Sequence, residues 1–184
     1  MTNEPEVLLV DEHDNVISTM RKEQAHIEGK LHRAFSIFLI NKESGKLLLQ
    51  QRSIKKYHSG GLWSNSCCSH QYNGEKLYES LIRCIQTELG NGININNIKE
   101  IGTFTYYSDY GMIKEHEIDH VFVYVADDSM CKHIVPNKME IDNIKWLNLK
   151  EVESIYNERK SEFTSWFYEA YTLLKKDYNF TQFI

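Results

Sequence analysis

Trp63-Ser64-Asn65-Ser66-Cys67-Cys68-Ser69-His70 places two thiols and an imidazole within four positions. A glycine pair, Gly60-Gly61, precedes this stretch, and a patterned run from Glu75 to Leu89 follows it. If the stretch is extended, alternate side chains share a face, so Cys68 and His70 point one way and Cys67 the other. Taken alone, adjacent cysteines read as buried structural thiols, because free cysteine is among the most buried residue types. The run behind them has a clear period. Leu77, Leu81, Ile82, Ile85 and Leu89 recur at helical spacing, which predicts an amphipathic helix stopped by Gly90.

Working outward, the rest of the chain reads mainly as strands. Val7 to Val10 is a short apolar run ended by the turn residues Asp11 to Asn15. Met20 to Lys30 is polar and carries His26. In Leu31 to Ile40, Phe35, Ile37 and Leu39 share one face of a strand, and His32, Ala34, Ser36 and Phe38 share the other. Asn41 to Gly45 reads as a hairpin turn and Lys46 to Arg52 as the returning strand. Ser53 to Gly61 is a basic, glycine-ended loop with Lys55, Lys56 and His58. Ile101–Tyr107 and Ile118–Ala126 are predicted strands joined by a loop over Ser108–Glu117, and Ile144–Leu147 is a short strand. Helices are expected near Lys150–Arg159 and Glu162–Lys176, the second carrying Trp166. Strands around a central helix, with helices at the end, predict a mixed-sheet α/β sandwich.

A chain of 184 residues with 41% hydrophobic and 26% charged residues fits one soluble domain over residues 1–184. The net charge of −5 argues against a nucleic-acid binder with a broad basic surface, while leaving room for a local basic pocket. No run approaches the roughly 18 apolar residues of a membrane span. The segment Met1 to Glu6 is polar and acidic, unlike a signal peptide. Four cysteines (Cys67, Cys68, Cys84, Cys131) in a chain this long do not make a disulfide framework, which predicts reduced thiols and a cytoplasmic setting.

Ligand-type residues cluster in the same regions. His26, His32, His70, Glu115 and Glu117 fall beside or within predicted strands or their loops. Glu115 and Glu117 are two apart and share a face on a strand. Imidazole with carboxylate suits zinc, manganese or iron. Their separations are no recognised metal spacing, so taken singly each histidine also reads as a surface or hydrogen-bonded core residue.

The runs Leu31-His32-Arg33-Ala34-Phe35-Ser36, Trp63 to His70, Glu88-Leu89-Gly90 and Glu115-His116-Glu117 together resemble the type 1 isopentenyl-diphosphate isomerases of the Nudix superfamily. The resemblance extends from about Val7 to Trp166, in order and without large insertions. It implies a Nudix-type mixed-sheet α/β/α sandwich. Against the Nudix box, Glu75 stands at the first glutamate, Ser69 at the glycine, Cys84 at the second glutamate and Thr87 at the next. Glu88 alone remains of the metal-binding carboxylates. That loss argues against diphosphate hydrolysis and fits an isomerase, for which the diphosphate is an anchor.

The resemblance implies interconversion of isopentenyl and dimethylallyl diphosphate through a tertiary carbocation, which needs an acid and a base in a dry pocket. By resemblance Cys68 and Glu117 are that pair, Tyr106 assists proton transfer, and the face of Trp166 stabilises the cation. His26, His32, His70, Glu115 and Glu117 match the family's divalent-metal site, for Mn2+ or Zn2+. Lys22, Arg52 and Lys56 match diphosphate contacts, with Mg2+ on Glu88. Related sequences carry a phosphate-holding arginine at Cys84. No flavin is implied, the substrate is a small molecule, and the expected state is a monomer or weak homodimer acting without membrane or nucleic acid. A nucleoside- or sugar-diphosphate hydrolase and a silent diphosphate- or metal-binding domain are the competing readings.

Overall fold

The computed structural model describes residues 4–91, 93 and 98–177. The chain enters with a hairpin of β1 (Glu6–Val10) and β2 (Val16–Arg21), then a short helix α1 (Lys22–Glu28). β3 (His32–Asn41) and β4 (Leu47–Arg52) form the hairpin expected at Asn41 to Gly45, with Leu39 opposite Leu48. After the basic loop come β5 (Trp63–Ser64), β6 (Cys67–His70) and helix α2 (Leu77–Leu89). β7 (Ile98–Asp109) and β8 (Lys114–Ala126) form a long hairpin, followed by a single helical turn, α3 (Asp128–Cys131). β9 (Ile141–Leu147) then leads into α4 (Leu149–Glu158) and α5 (Phe167–Lys176).

β3 sits at the centre of the sheet. It runs parallel to β8 from His32–Glu117 to Asn41–Ala126, and antiparallel to β1, β4 and β6. Almost every residue of β3 is buried, which is why it reads as a nearly continuous apolar run. Phe35, Ile37 and Leu39 pack with Leu81, Cys84, Ile85 and Leu89 of α2. Phe38 and Ile40 pack with Val152 of α4 and with Phe167, Ala170, Tyr171 and Leu174 of α5. Burying side chains of this kind stabilises by about 1.5–3 kcal/mol each. The result is the expected mixed sheet between two helical layers. No helix among the described residues is long and apolar enough to cross a membrane.

The structure adds elements that the sequence left unassigned and corrects two local expectations. The stretch Met20 to Lys30 holds the end of β2 and all of α1. Val16 and Ile17 lie exposed, so β2 lacks a buried face to mark it, and α1 is only seven residues long, too short for a helical period to stand out. The region Ser108–Glu117 is mostly strand, since β7 runs to Asp109 and β8 begins at Lys114. Its inner face carries carboxylates rather than apolar groups, so the strand signal was masked. Trp166 lies at the N-cap of α5, not within it, because the segment before Phe167 forms a short 3-10 turn, Lys160–Glu162, and an extended link. Residues 1–3 of the polar N-terminal segment lie outside the described residues.

Candidate active site

The site is one face of four neighbouring strands. On β3, His32, Ala34 and Ser36 point to it. Across β6, His70 pairs with Ala34 and Cys68 with Ser36, while Cys67 pairs with Ile37 and turns into the core. On the other side, Glu117 pairs with His32 and Asp119 with Ala34. Tyr106 of β7 pairs with Glu117 in turn. α1 adds His26, and Gly29 ends that helix in a left-handed conformation (φ 64°) that returns the chain to His32. The alternation expected for Cys68 and His70 therefore holds. Ser69 occupies regular strand opposite Phe35, so this position needs no glycine.

The imidazoles and carboxylates meet at close range. Glu117 Oε1 lies 2.8 Å from His70 Nε2, 3.3 Å from His32 Nε2 and 4.0 Å from His26 Nε2, and Glu115 Oε1 lies 3.4 Å from His26 Nε2. His26 Nδ1 donates to Lys22 O at 2.6 Å and His32 Nδ1 to Lys30 O at 2.7 Å. A carbonyl only accepts, so each Nδ1 carries the proton and Nε2 faces the cluster, as in metal-binding histidines whose outer nitrogen is fixed by a backbone carbonyl. Both Nε2 atoms are buried and lack a hydrogen-bond partner. Ligand atoms of His26, His32, His70 and Glu117 lie within 4.8 Å of one another. Orphaned nitrogens around a carboxylate, with their outer nitrogens fixed, fit a divalent cation.

Burial alone would raise the Glu117 carboxyl, but His32, Glu115 and the Tyr106 hydroxyl hold it well below the usual carboxylate range. Tyr106 Oη donates to Glu117 Oε2 at 2.6 Å, with Glu115 Oε2 a weaker contact at 3.2 Å. Burial pushes the Cys68 thiol well up, against the pull of the nearby Arg52.

A cavity of about 150 Å³ is lined by residues of this cluster and by four basic side chains, Lys22, Arg52, Lys56 and Arg83. Arg52 is 7% exposed, its Nε has no partner, and its Nη1 lies 3.6 Å from Cys68 Sγ. A buried guanidinium with an unpaired donor is suited to an anionic ligand. Lys56 pairs with Glu140. Glu88 lines the same cavity, its carboxyl pushed up to about 7 by burial although Lys56 opposes that shift.

The polar residues Ser64, Asn65 and Ser66 are fully buried and explain why the quoted stretch is polar inside a core. Ser66 Oγ donates to Leu48 O at 2.6 Å and accepts from Leu39 N at 2.7 Å, tying β6 to the β3–β4 hairpin. Asn65 Nδ2 donates to Cys67 O at 2.6 Å, and Asn65 Oδ1 accepts from Trp166 Nε1 at 3.2 Å. Trp166 is thus held over the cavity, with its ring centroid 6.0 Å from Tyr106 and 5.2 Å from the Arg52 guanidinium.

All of the sequence-predicted site residues line this cavity or its metal cluster. Two further residues were not singled out. His58 Nε2 lies 2.8 Å from Glu115 Oε1, brought in by the basic loop, which carries no periodic signal. Asp119 accepts from Ser36 Oγ at 2.8 Å, and burial followed by the charge of Glu117 raises its carboxyl strongly. Extending the two-residue alternation from Glu115 and Glu117 along the strand would have found it.

Comparison with known proteins agrees with this architecture. Residues 30–167 match the model of the NUDIX domain family. A crystal structure of DR0079 from Deinococcus radiodurans superposes with a TM-score of 0.69 at 20% identity, covering 92% of this chain and 98% of that one. The MutT protein from Methanosarcina mazei gives 0.56 at 19% identity, over 83% and 92%. Among curated relatives, the isopentenyl-diphosphate Delta-isomerase of Pectobacterium atrosepticum is 38% identical over 88% of this chain and 87% of its own length. The isopentenyl-diphosphate Delta-isomerase 2 of Aromatoleum aromaticum is 40% identical over 89% and 82%. The chain belongs to the Nudix family and, within it, to the isopentenyl-diphosphate Delta-isomerases.

Proposed function

We propose that this protein interconverts isopentenyl diphosphate and dimethylallyl diphosphate, as an enzyme of isoprenoid biosynthesis. The observation that carries the reading is the placement of Cys68 and Glu117, from different strands, on one cavity that also holds the buried, partly unpaired Arg52, 3.6 Å from Cys68 Sγ. An unactivated alkene is a weak base, so its protonation needs a strong, positioned acid and a water-poor site. Arg52, Lys56 and Lys22 bind the diphosphate and fix the five-carbon chain. One member of the Cys68–Glu117 pair delivers a proton to the terminal alkene carbon, which leaves a tertiary cation. The other removes a proton two carbons away, and the new double bond forms from that C–H bond. The Tyr106 hydroxyl orients Glu117, and the face of Trp166 offsets the cationic charge.

His26, His32, His70, Glu115 and Glu117 would hold a divalent ion, Mn2+ or Zn2+. When bound it offsets the charge of the paired carboxylates and sets the acidity of Glu117. Glu88 would share Mg2+ with the diphosphate. No step needs a flavin. The four cysteines are free thiols, which supports a reducing, cytoplasmic setting for one domain acting as a monomer or weak homodimer on a small-molecule substrate. A hydrolytic reading is disfavoured because Cys84 and Thr87 stand where a hydrolase needs carboxylates.

The test is proton NMR of isopentenyl diphosphate with the purified protein and magnesium in deuterated water. Deuterated dimethylallyl diphosphate without released phosphate is expected, and Cys68→Ala should abolish it. Released phosphate, or unchanged substrate with metal-replete protein, would overturn the reading.

A further inference from the structure

A second group of ligand-type side chains lies on the opposite face of β6. Cys67 of β6, with Cys84 and Glu88 of α2, offers ligand atoms that all lie within 4.8 Å of one another, and all three residues are buried. Cys84 and Glu88 are four apart on a helix and share a face. The Cys84 thiol points at Glu88 Oε1 from 3.7 Å, and the thiols of Cys67 and Cys84 lie within 4.8 Å of each other. Cys67 is fully buried, while Cys84 and Glu88 also line the cavity, so an ion has a way in from the substrate side.

We propose that Cys67, Cys84 and Glu88 form a second metal site, of two sulfurs and one oxygen, that takes a thiophilic divalent cation of the zinc class and leaves one position open toward the cavity. Two thiolates select a soft cation over magnesium, which prefers all-oxygen coordination, so without diphosphate this ion takes Glu88, and the magnesium that Glu88 would share with diphosphate competes for the same carboxylate. In a tetrahedral zinc site with Zn–S bonds of about 2.3 Å, neighbouring donors sit about 3.7 Å apart, so small side-chain rotations from the present spread close the site. Three protein donors and one open position is the pattern of a zinc site that still accepts a ligand. Each thiol gives up its proton to solvent on binding. Arg52 and Lys56, beside Glu88, offset the added negative charge. The proposal rests on the functional reading only in taking the group that meets the open position to be the diphosphate of the substrate. The donor set stands without it.

The test uses the full-length, metal-stripped, reduced protein titrated with Co2+ and read by absorption. A near-ultraviolet thiolate-to-cobalt charge-transfer band is expected, unmoved by excess Mg2+ and lost when Zn2+ is added. Cys84→Ala should lose this band. Glu88→Gln tests the site without touching a thiol, and should lower the Co2+ affinity read from the same band. Cys68→Ala should keep the band, which excludes the thiol on the other face as its source. Two results would overturn the proposal: visible cobalt absorption from the histidine cluster with no charge-transfer band, or a band that survives Cys84→Ala and disappears in Cys68→Ala. Because the readout is spectroscopic, failure of the isomerase assay leaves it intact, and the two readings fail separately.

Discussion

Tyr106→Phe removes one oxygen and leaves the ring, so it isolates what the hydroxyl does. The ring packs against Phe104 and Trp166, with centroids 5.7 Å and 6.0 Å away, and phenylalanine keeps both contacts. Burial, and then the charges of Glu117 and Glu115, push the phenol far above its ordinary value. It therefore stays protonated and donates its one proton to Glu117 at 2.6 Å, with Glu115 Oε2 a weaker contact at 3.2 Å. A hydrogen bond to a charged group contributes about 1.5–3 kcal/mol. If the shorter bond is made in the transition state, where Glu117 changes protonation, its loss lowers kcat by about 10- to 160-fold, at about 1.36 kcal/mol per tenfold. Initial rates over a substrate series, followed by proton NMR, separate kcat from KM. The expected result is a fall in kcat with KM nearly unchanged, because the hydroxyl contacts Glu117 and Glu115 and none of Lys22, Arg52 and Lys56, the side chains proposed to bind the diphosphate. A kcat within about threefold of wild type, or a loss confined to KM, would refute the reasoning.

Two further predictions concern what holds the site together. Binding of Mn2+ or Zn2+ to metal-stripped protein should raise the melting temperature, since His26 and His32 bury unpartnered nitrogens that a cation satisfies. At a metal concentration of 100 times Kd the gain is about 2.7 kcal/mol, or roughly 5–11 °C for a chain of this size, and no shift would mean that the cluster binds no metal. Arg83→Lys tests the clamp behind His70: Arg83 donates to Glu75 at 2.6 Å and 3.0 Å and to His70 O at 2.8 Å, with its guanidinium 3.8 Å from the Tyr72 ring. Lysine lacks the planar fork, so the cost should be about 1–2 kcal/mol at neutral pH, already discounted for partial exposure. Burial of Glu75 opposes its charge, but Arg83 and Ser80 hold the carboxyl below its ordinary value of 4.5. A depressed folded value means that this stability is present above the unfolded value and lost as pH falls through the folded one. Melting curves of wild type and variant should therefore converge below about pH 4.5, and a constant gap at all pH values would contradict the clamp.

How far the site could be read beforehand follows from which signals are local. The two-residue period of a strand survives in any surroundings, so the division of Cys68 and His70 from Cys67 was legible from alternation alone, whereas the shared face of Glu115 and Glu117 depended on a strand where the sequence read as a loop. The period of α2 was legible for the same reason. α1 was not, since its seven residues bury only Ala25 and His26, and His26 was reached through family resemblance. His58 lies in a loop whose glycines mark a turn but say nothing of its direction. The buried Ser64, Asn65 and Ser66 were visible as residues but not as braces, because the carbonyls of Leu48 and Cys67 and the Trp166 indole that they bind are fixed only by packing. The least local step is the parallel pairing of β3 with β8. No turn chemistry joins these strands, and a slip of one residue would turn Glu117 and Asp119 away from His32 and Ala34. That register is selected by burial of Phe35, Ile37 and Leu39 on one face and Phe38 and Ile40 on the other. The metal cluster is therefore positioned by the two hydrophobic layers on either side of the sheet, and a core substitution that shifts the register would remove the site without touching any of its residues.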